Sequence, residues 1–379
     1  MNKLKPYFVL GFMLTHCGSC KHPFDPPKIP SNKYPLVVEG FINASPDSVT
    51  IVRLSRVQNF SGNDSAVGEP GAVVLIEDEY GSSIALLDEG GGKYVSDHLN
   101  LVLYNKYRLN ISTSDGNQYL SDFVPAKKCQ PIDSLEWNQN SDVTIYVNTH
   151  DPLDSTIYYR WDYVETWNYL SNLSTPWGVE NRRIFAKDSL TQTDSCWRSE
   201  NSSDIIIANS LALGQDLISH YPVAVVPVNS EKISDRFSIL VRQYALTKDA
   251  YQYFRILQKN TEQTGTLFDP QPSQLPTNIH CLTNPGDKTI GFVYATSMTQ
   301  RRIFISYREV ENWHYQGEQQ DCSNFIYTYA DPVDFRIFDY PDTTYAPYYF
   351  QSGGGLVLVR KSCTYCTYYG GSNVKPSFW

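Results

Sequence analysis

Apolar and polar positions alternate in short runs from residue 35 to residue 125, the period of two expected of half-buried strands. Leu36-Val37-Val38-Glu39-Gly40-Phe41-Ile42 opens the series. In residues 49–56, Val49 and Ile51 oppose Thr50, Val52 and Leu54. Residues 72–78 and 83–87 flank Tyr80-Gly81, a hairpin connection. Tyr107-Arg108-Leu109-Asn110-Ile111 runs into Asp115-Gly116 and residues 118–124, the strongest short-range hairpin signal in this half. About seven strands with no helical period predict an immunoglobulin-like or prealbumin-like β-sandwich over residues 35–125. The Cys-Trp-Cys pattern of true immunoglobulin domains is absent, so the likeness is one of architecture.

Residues 125–131 read as a boundary, and residues 126–379 as a larger β-rich domain with one or two helices. Strands are expected at 143–147, 157–169, 223–228, 289–295, 302–307 and 356–360. Along 157–169 the residues Tyr159, Trp161, Tyr163, Trp167 and Tyr169 share one face. Core packing explains such a row; a candidate binding platform for stacked ligands is the sharper alternative. A helix is predicted over 247–263: Thr247 can cap it, Asp249 sits in its first turn, Ala250, Tyr251, Phe254 and Leu257 recur at helical spacing, and Gly265 follows. Four prolines between residues 268 and 285 exclude long regular structure there. No internal repeat is visible.

The start of the chain changes the compartment. Lys3 and Lys5, an apolar run over residues 7–14 and the small residues Gly18-Ser19 before Cys20 predict a secretory signal peptide over residues 1–19. The apolar run is shorter than the roughly 20 residues that span a bilayer. A Cys after small residues points to a lipoprotein acylated at Cys20. Cys17 competes, with Leu14 upstream but the bulky His16 directly before it. Residues 20–34, rich in proline, read as a tether. The formal net charge of −9 becomes 29 − 40 = −11 once Lys3 and Lys5 leave, which argues against a nucleic-acid partner. An acidic chain is also repelled by anionic lipids, so attachment to a membrane falls to the lipid anchor. Six cysteines remain, Cys129, Cys196, Cys281, Cys322, Cys363 and Cys366. An even set in an exported protein predicts disulfides, at least two of them, with Cys363 or Cys366 in one; fifteen pairings stay open.

Catalytic signatures are missing: no His-Glu-x-x-His, Walker loop, Gly-x-Ser-x-Gly or Rossmann glycine pattern occurs. The seven histidines are scattered. Cys363-Thr364-Tyr365-Cys366 is a lone Cys-x-x-Cys without the second pair that zinc needs. No cofactor or metal is expected. Tyrosines, phenylalanines and the acids Asp331, Asp334, Asp339 and Asp342 interleave over residues 324–350, as in a calcium-stiffened loop, a sugar-stacking surface or solvated turns between core strands. Asp-Ser/Thr followed by a small apolar residue or Thr, an O-glycan acceptor pattern of exported Bacteroidota proteins, occurs at Ser48, Ser65, Ser134, Ser155, Ser189 and Thr343, where chance gives roughly one or two. Asp-Ser in turns is also an ordinary structural choice. Phe378-Trp379, after Gly370-Gly371 and Pro376, are expected to dock in a pocket of the second domain or of a partner.

Several segments recur together: Ser19-Cys20-Lys21-His22-Pro23-Phe24-Asp25-Pro26, Leu36-Val37-Val38-Glu39-Gly40, Pro131-Ile132-Asp133-Ser134, Arg160-Trp161-Asp162 with Glu165-Thr166-Trp167, and the stretch 238–253. Thr261-Glu262-Gln263-Thr264-Gly265 leads into Phe268-Asp269-Pro270-Gln271-Pro272-Ser273, and Gly370-Gly371-Ser372-Asn373 precedes Pro376-Ser377-Phe378-Trp379. In this combination the chain resembles the domain-of-unknown-function 4249 family of Bacteroidota outer-membrane lipoproteins, over essentially its full length. The resemblance implies an accessory role beside a TonB-dependent outer-membrane receptor and supplies no catalytic residues. The acidic run that follows the lipidated Cys in some surface-exported lipoproteins is absent from Lys21-His22-Pro23, which leaves the membrane face open. The expected function is thus a non-enzymatic accessory or cargo-binding partner of such a transporter in nutrient uptake. Two rivals are an independent surface module for glycans or host proteins and, behind it, an extracytoplasmic hydrolase.

Overall fold

The computed structural model describes residues 34–56, 66–180, 183–188, 193–212, 214–262, 273–315, 322, 325–328, 345–352 and 355–379. It is mainly β, as the alternation predicts. The first ten strands are β1 (Leu36–Gly40), β2 (Ile42–Asn43), β3 (Ile51–Arg56), β4 (Val67–Gly68), β5 (Val73–Asp78), β6 (Ser83–Asp88), β7 (Lys93–Val95), β8 (Lys106–Ser112), β9 (Gln118–Ser121) and β10 (Val124–Lys127). Both expected hairpins form, β5 with β6 and β8 with β9. Asp78 Oδ1 accepts the N–H groups of Tyr80 and Ser82 at 2.9 and 2.8 Å and so fixes the first turn. The strands belong to one sheet that curls over. Val38, Val52 and Leu54 from one half meet Val74, Ile76, Leu109 and Ile111 from the other in a single core. Each such side chain contributes about 1.5–3 kcal/mol when fully buried.

The second unit follows: β11 (Ser134–Gln139), β12 (Val143–His150), β13 (Tyr158–Leu170), β14 (Trp177–Glu180), β15 (Arg183–Ala186), β16 (Ser195–Asn201), β17 (Ile206–Asn209), β18 (Leu217–Val226) and β19 (Arg236–Leu246). One sheet has the order β11-β12-β18. Another runs β16-β13-β19 with β17 beside β13. The inward residues Val143, Ile145 and Val147 of β12 pack with Tyr159, Trp161, Trp167, Phe237, Ile239 and Val241 of β13 and β19. The predicted helix is α1 (Lys248–Glu262); Thr247 Oγ1 accepts the Ala250 N–H at 3.2 Å, and Asp249 lies in the first turn.

After α1 the chain returns to the first unit. β20 (Ile279–Cys281) pairs with β9, β21 (Thr289–Ile290) runs parallel to β1, and β22 (Ala295–Thr296) lies between β2 and β10. Ile279, Cys281, Val293 and Ala295 therefore complete the first core, which is built from two separate stretches of chain. Residues 289–295 were expected as one strand and are two short ones. Gly291 separates them at φ +129°, and a Cβ there would lie 2.2 Å from the Val38 carbonyl oxygen. β23 (Met298–Ser306) then rejoins the second unit beside β19. A small sheet of β24 (Phe325–Thr328), β25 (Tyr345–Gln351) and β26 (Gly355–Arg360) precedes α2 (Lys361–Thr364). Two disulfides, Cys196–Cys366 and Cys322–Cys363, tie this segment down. Phe378 and Trp379 dock on the second unit: Trp379 meets Trp197 and Phe304 edge-on, and the Arg302 guanidinium stands 3.6 Å from the Phe378 ring centre.

Candidate functional site

Strand β13 has two faces of different chemistry. Residues Tyr159, Trp161, Tyr163, Trp167 and Tyr169 are all buried in the second core. They are packing and not an exposed stacking platform: Trp161 stacks on Tyr221 of β18, Trp167 reaches Glu231 and Tyr169 reaches the Cys366 carbonyl. Trp161 Nε1 donates to Gln243 Oε1 at 2.8 Å, and the Gln243 amide nitrogen donates to Gln130 O and Thr149 Oγ1 at 2.9 and 3.0 Å. Tyr159 Oη donates to Asp216 at 2.5 Å. Trp161 and Tyr159 thus have buried hydrogen-bond partners.

The opposite face carries Arg160 and Asp162, which stand directly across from Tyr244 and Arg242 of β19. Asp162 collects three donors: Arg242 Nε at 2.5 Å, Tyr244 Oη at 3.0 Å and Arg160 Nη2 at 3.4 Å. Arg160 also donates to Tyr294 Oη at 2.9 Å, and its guanidinium lies 5.1 and 4.9 Å from the ring centres of Tyr244 and Phe254. Burial alone would lower the Arg160 pKa; the Tyr294 hydroxyl and the Asp162 carboxylate outweigh it and hold the cation above its ordinary value. Burial raises the phenols of Tyr244, Tyr253 and Tyr294, which stay neutral.

This cluster is the floor of a cleft of about 470 Å³ between the two β-units. Val38, Glu39, Gly40, Phe41, Ile51 and Arg53 of the first unit form one wall. Tyr253, Phe254 and Leu257 of α1 form the other, and Phe292 and Tyr294 close the end. Phe41 stacks on Tyr294 at 5.5 Å and meets Tyr244 edge-on at 5.1 Å, so aromatic rings join the units at the base of the cleft. Gly40, at φ +130°, lets β1 pass against β3; a Cβ would lie 2.4 Å from the Ile51 carbonyl oxygen. Ligand sites favour such junctions, with apolar walls and a few converging polar groups.

A family model described as a domain of unknown function, DUF4249, matches residues 21–302. The chain belongs to the DUF4249 family. No match was found among curated proteins. Every residue lining the cleft falls within the stretch that the DUF4249 match covers, whereas the small sheet and both cysteines of the Cys322–Cys363 bridge lie beyond it.

The remaining expected site residues are dispersed. Cys20, Ser65, Ser189 and Thr343 lie outside the described residues, as do Asp331, Asp334, Asp339 and Asp342. Of the six disulfide candidates, Cys129 and Cys281 are corrected to free, buried thiols. Cys129 sits where the units meet, donating to the Gln243 carbonyl at 3.2 Å, and burial pushes its thiol up to about 11. Cys363 and Cys366 belong to two different bridges, so the Cys-x-x-Cys is not itself a pair. Ser48 and Ser134 are half-buried and Ser155 is exposed, with hydroxyls donating to Ser45 O, Glu136 and Asp151 at 2.7, 2.9 and 2.7 Å. His150 and His280 pair with Asp133 and Asp122 on the surface, away from the cleft. The aromatic row marks the inner face of β13, and the cleft lies on the other. The usable signal was Arg160 and Asp162 alternating inside a strand, two residues that seldom sit mid-strand without partners.

Proposed function

We propose that this protein is a non-enzymatic outer-membrane lipoprotein that binds cargo for a TonB-dependent transporter, with the cargo seated in the cleft between the β-units. The cleft carries the reading: it draws residues from both units and from α1, and the carboxylate in its floor, Asp162, is already occupied by three donors. A carboxylate so engaged suits a scaffold that orients arginines better than one that moves protons. The transporter partnership and the acyl anchor at Cys20 draw on the family likeness and on Gly18-Ser19-Cys20. Two or three acyl chains anchor a protein stably where one does not. Purification from native membranes followed by mass spectrometry tests both. The reading expects an acylated N-terminus at Cys20 and a co-purifying outer-membrane receptor, and Cys20→Ala should release this protein from the membrane fraction or block its processing. An unmodified N-terminus and no receptor would overturn it.

A second reading, an independent module for glycans, draws on a groove of about 430 Å³ lined by Tyr307, Trp313, Tyr315 and Asp235. Aromatic rings beside a carboxylate are the usual furniture of sugar binding. Retention of glycans on an array by protein free of any receptor would favour it.

A further inference from the structure

We infer that the cleft takes a carboxylate-bearing ligand with an apolar body, the carboxylate gripped by the guanidinium of Arg242. This deepens the cargo-binding reading and rests on it.

The inference comes from counting donors and acceptors in the floor. Asp162 Oδ1 accepts from Arg242 Nε, and Asp162 Oδ2 accepts from Tyr244 and Arg160, so its capacity is largely used. Arg160 spends its fork on Asp162 and Tyr294 and is stacked against Tyr244 and Phe254. Arg242 is different. Among the described residues its only partner is Asp162, reached through Nε, and its partly exposed side chain borders the open space. The terminal nitrogens of Arg242 therefore present surplus donors beside a floor carboxylate, Asp162, that is already engaged. Three arginines, Arg53, Arg160 and Arg242, face two acids, Glu39 and Asp162, which leaves the lining one positive charge in excess on a chain of net charge −9. A ligand that donates would meet an engaged Asp162 in the floor, which leaves only the exposed Glu39 to receive it. One that accepts, and carries negative charge, completes the set, and a planar carboxylate matches the guanidinium fork in two parallel hydrogen bonds. The walls supply the other half of the specificity: Phe41, Ile51, Phe254, Leu257 and Phe292 offer apolar surface to the body of such a molecule.

Three probes of equal shape separate the possibilities: 4-phenylbutyrate, 4-phenylbutan-1-ol and 4-phenylbutylamine, titrated calorimetrically into the full chain. The carboxylate is expected to bind at least tenfold more tightly than the alcohol, and the amine most weakly. Arg242→Met should abolish the tenfold preference, while Phe254→Ala should weaken carboxylate and alcohol alike. If Arg242→Met folds poorly because Asp162 loses its partner, the double variant Asp162→Asn/Arg242→Met leaves the net charge of the lining unchanged and makes the same prediction. Equal binding of carboxylate and alcohol, or a preference for the amine, would overturn the ligand class and leave the cleft as a binding site. Failure of all three probes to bind at millimolar concentration would overturn the inference together with the cargo-binding reading beneath it.

Discussion

The two faces of β13 share one backbone and one set of cross-strand neighbours, yet they do opposite work. Trp161 stands opposite Gln243 and Asp162 opposite Arg242, one residue further along the same pair of strands. On the inner face the polar groups around Trp161 are buried and closed on one another: the Trp161 indole meets the Gln243 amide, which reaches Gln130 and Thr149. On the outer face they are charged, half-open and left with donors to spare. A closed network fixes the packing of the core, since an unpaired group there costs the full desolvation penalty. An open network at a junction can accept a partner at little cost. Polar residues in a strand are thus informative by what remains unsatisfied around them.

The contrast predicts where substitution hurts. Trp161→Ala should cost about 3–5 kcal/mol, read as a shift in the urea midpoint, because it empties a fully buried site and strands Gln243. Arg242→Met, on the other face, should cost less than about 1 kcal/mol in the same measurement. Comparable losses from the two would erase the distinction.

The cysteines repeat the pattern. Cys196–Cys366 closes a sequence separation of 170 residues, and replacing both by Ala should lower stability by about 2–4 kcal/mol. Cys129 and Cys281, buried as free thiols, should resist alkylation in native protein and react after unfolding.

Acid should loosen the inner face. Asp151 is buried and accepts the backbone N–H groups of Leu153, Ser155 and Thr156, the Ser155 hydroxyl and the Gln130 amide, which belongs to the Gln243 network. Burial raises its pKa, but the Ser155 hydroxyl and the Leu153 and Thr156 groups outweigh that and bring it from 3.8 down to about 2. A carboxyl depressed on folding stabilises fully above about pH 4 and loses that contribution, about 2 kcal/mol, as the pH falls through 2. Asp151→Asn should flatten this limb of a stability-against-pH curve. Asp162→Asn should cost less, about 1–2 kcal/mol, and should tighten 4-phenylbutyrate binding by removing a competing negative charge.

Local features were legible in the sequence because local chemistry decides them. Asp115-Gly116 makes its hairpin with the residues beside it, and Thr247 caps the helix it begins. The return of residues 279–296 to the first core was not legible. Leu36 pairs with Thr289 and Ala126 with Ala295, contacts more than 160 residues apart that no periodicity encodes. The cleft depends on that return, since Phe292 and Tyr294 close its end. Its charged floor lay in plain sight at Arg160 and Asp162, but a strand's alternation says which residues share a face and not which face is covered.

Hydrogen–deuterium exchange of the full chain, with and without saturating 4-phenylbutyrate, tests most directly the claim that the units form a binding cleft. Slower exchange is predicted at residues 38–41, 251–257 and 292–294, from three separate stretches of chain, with no change at residues 143–147 behind the inner face. Protection confined to residues around Tyr307 and Trp313, or found nowhere, would contradict it.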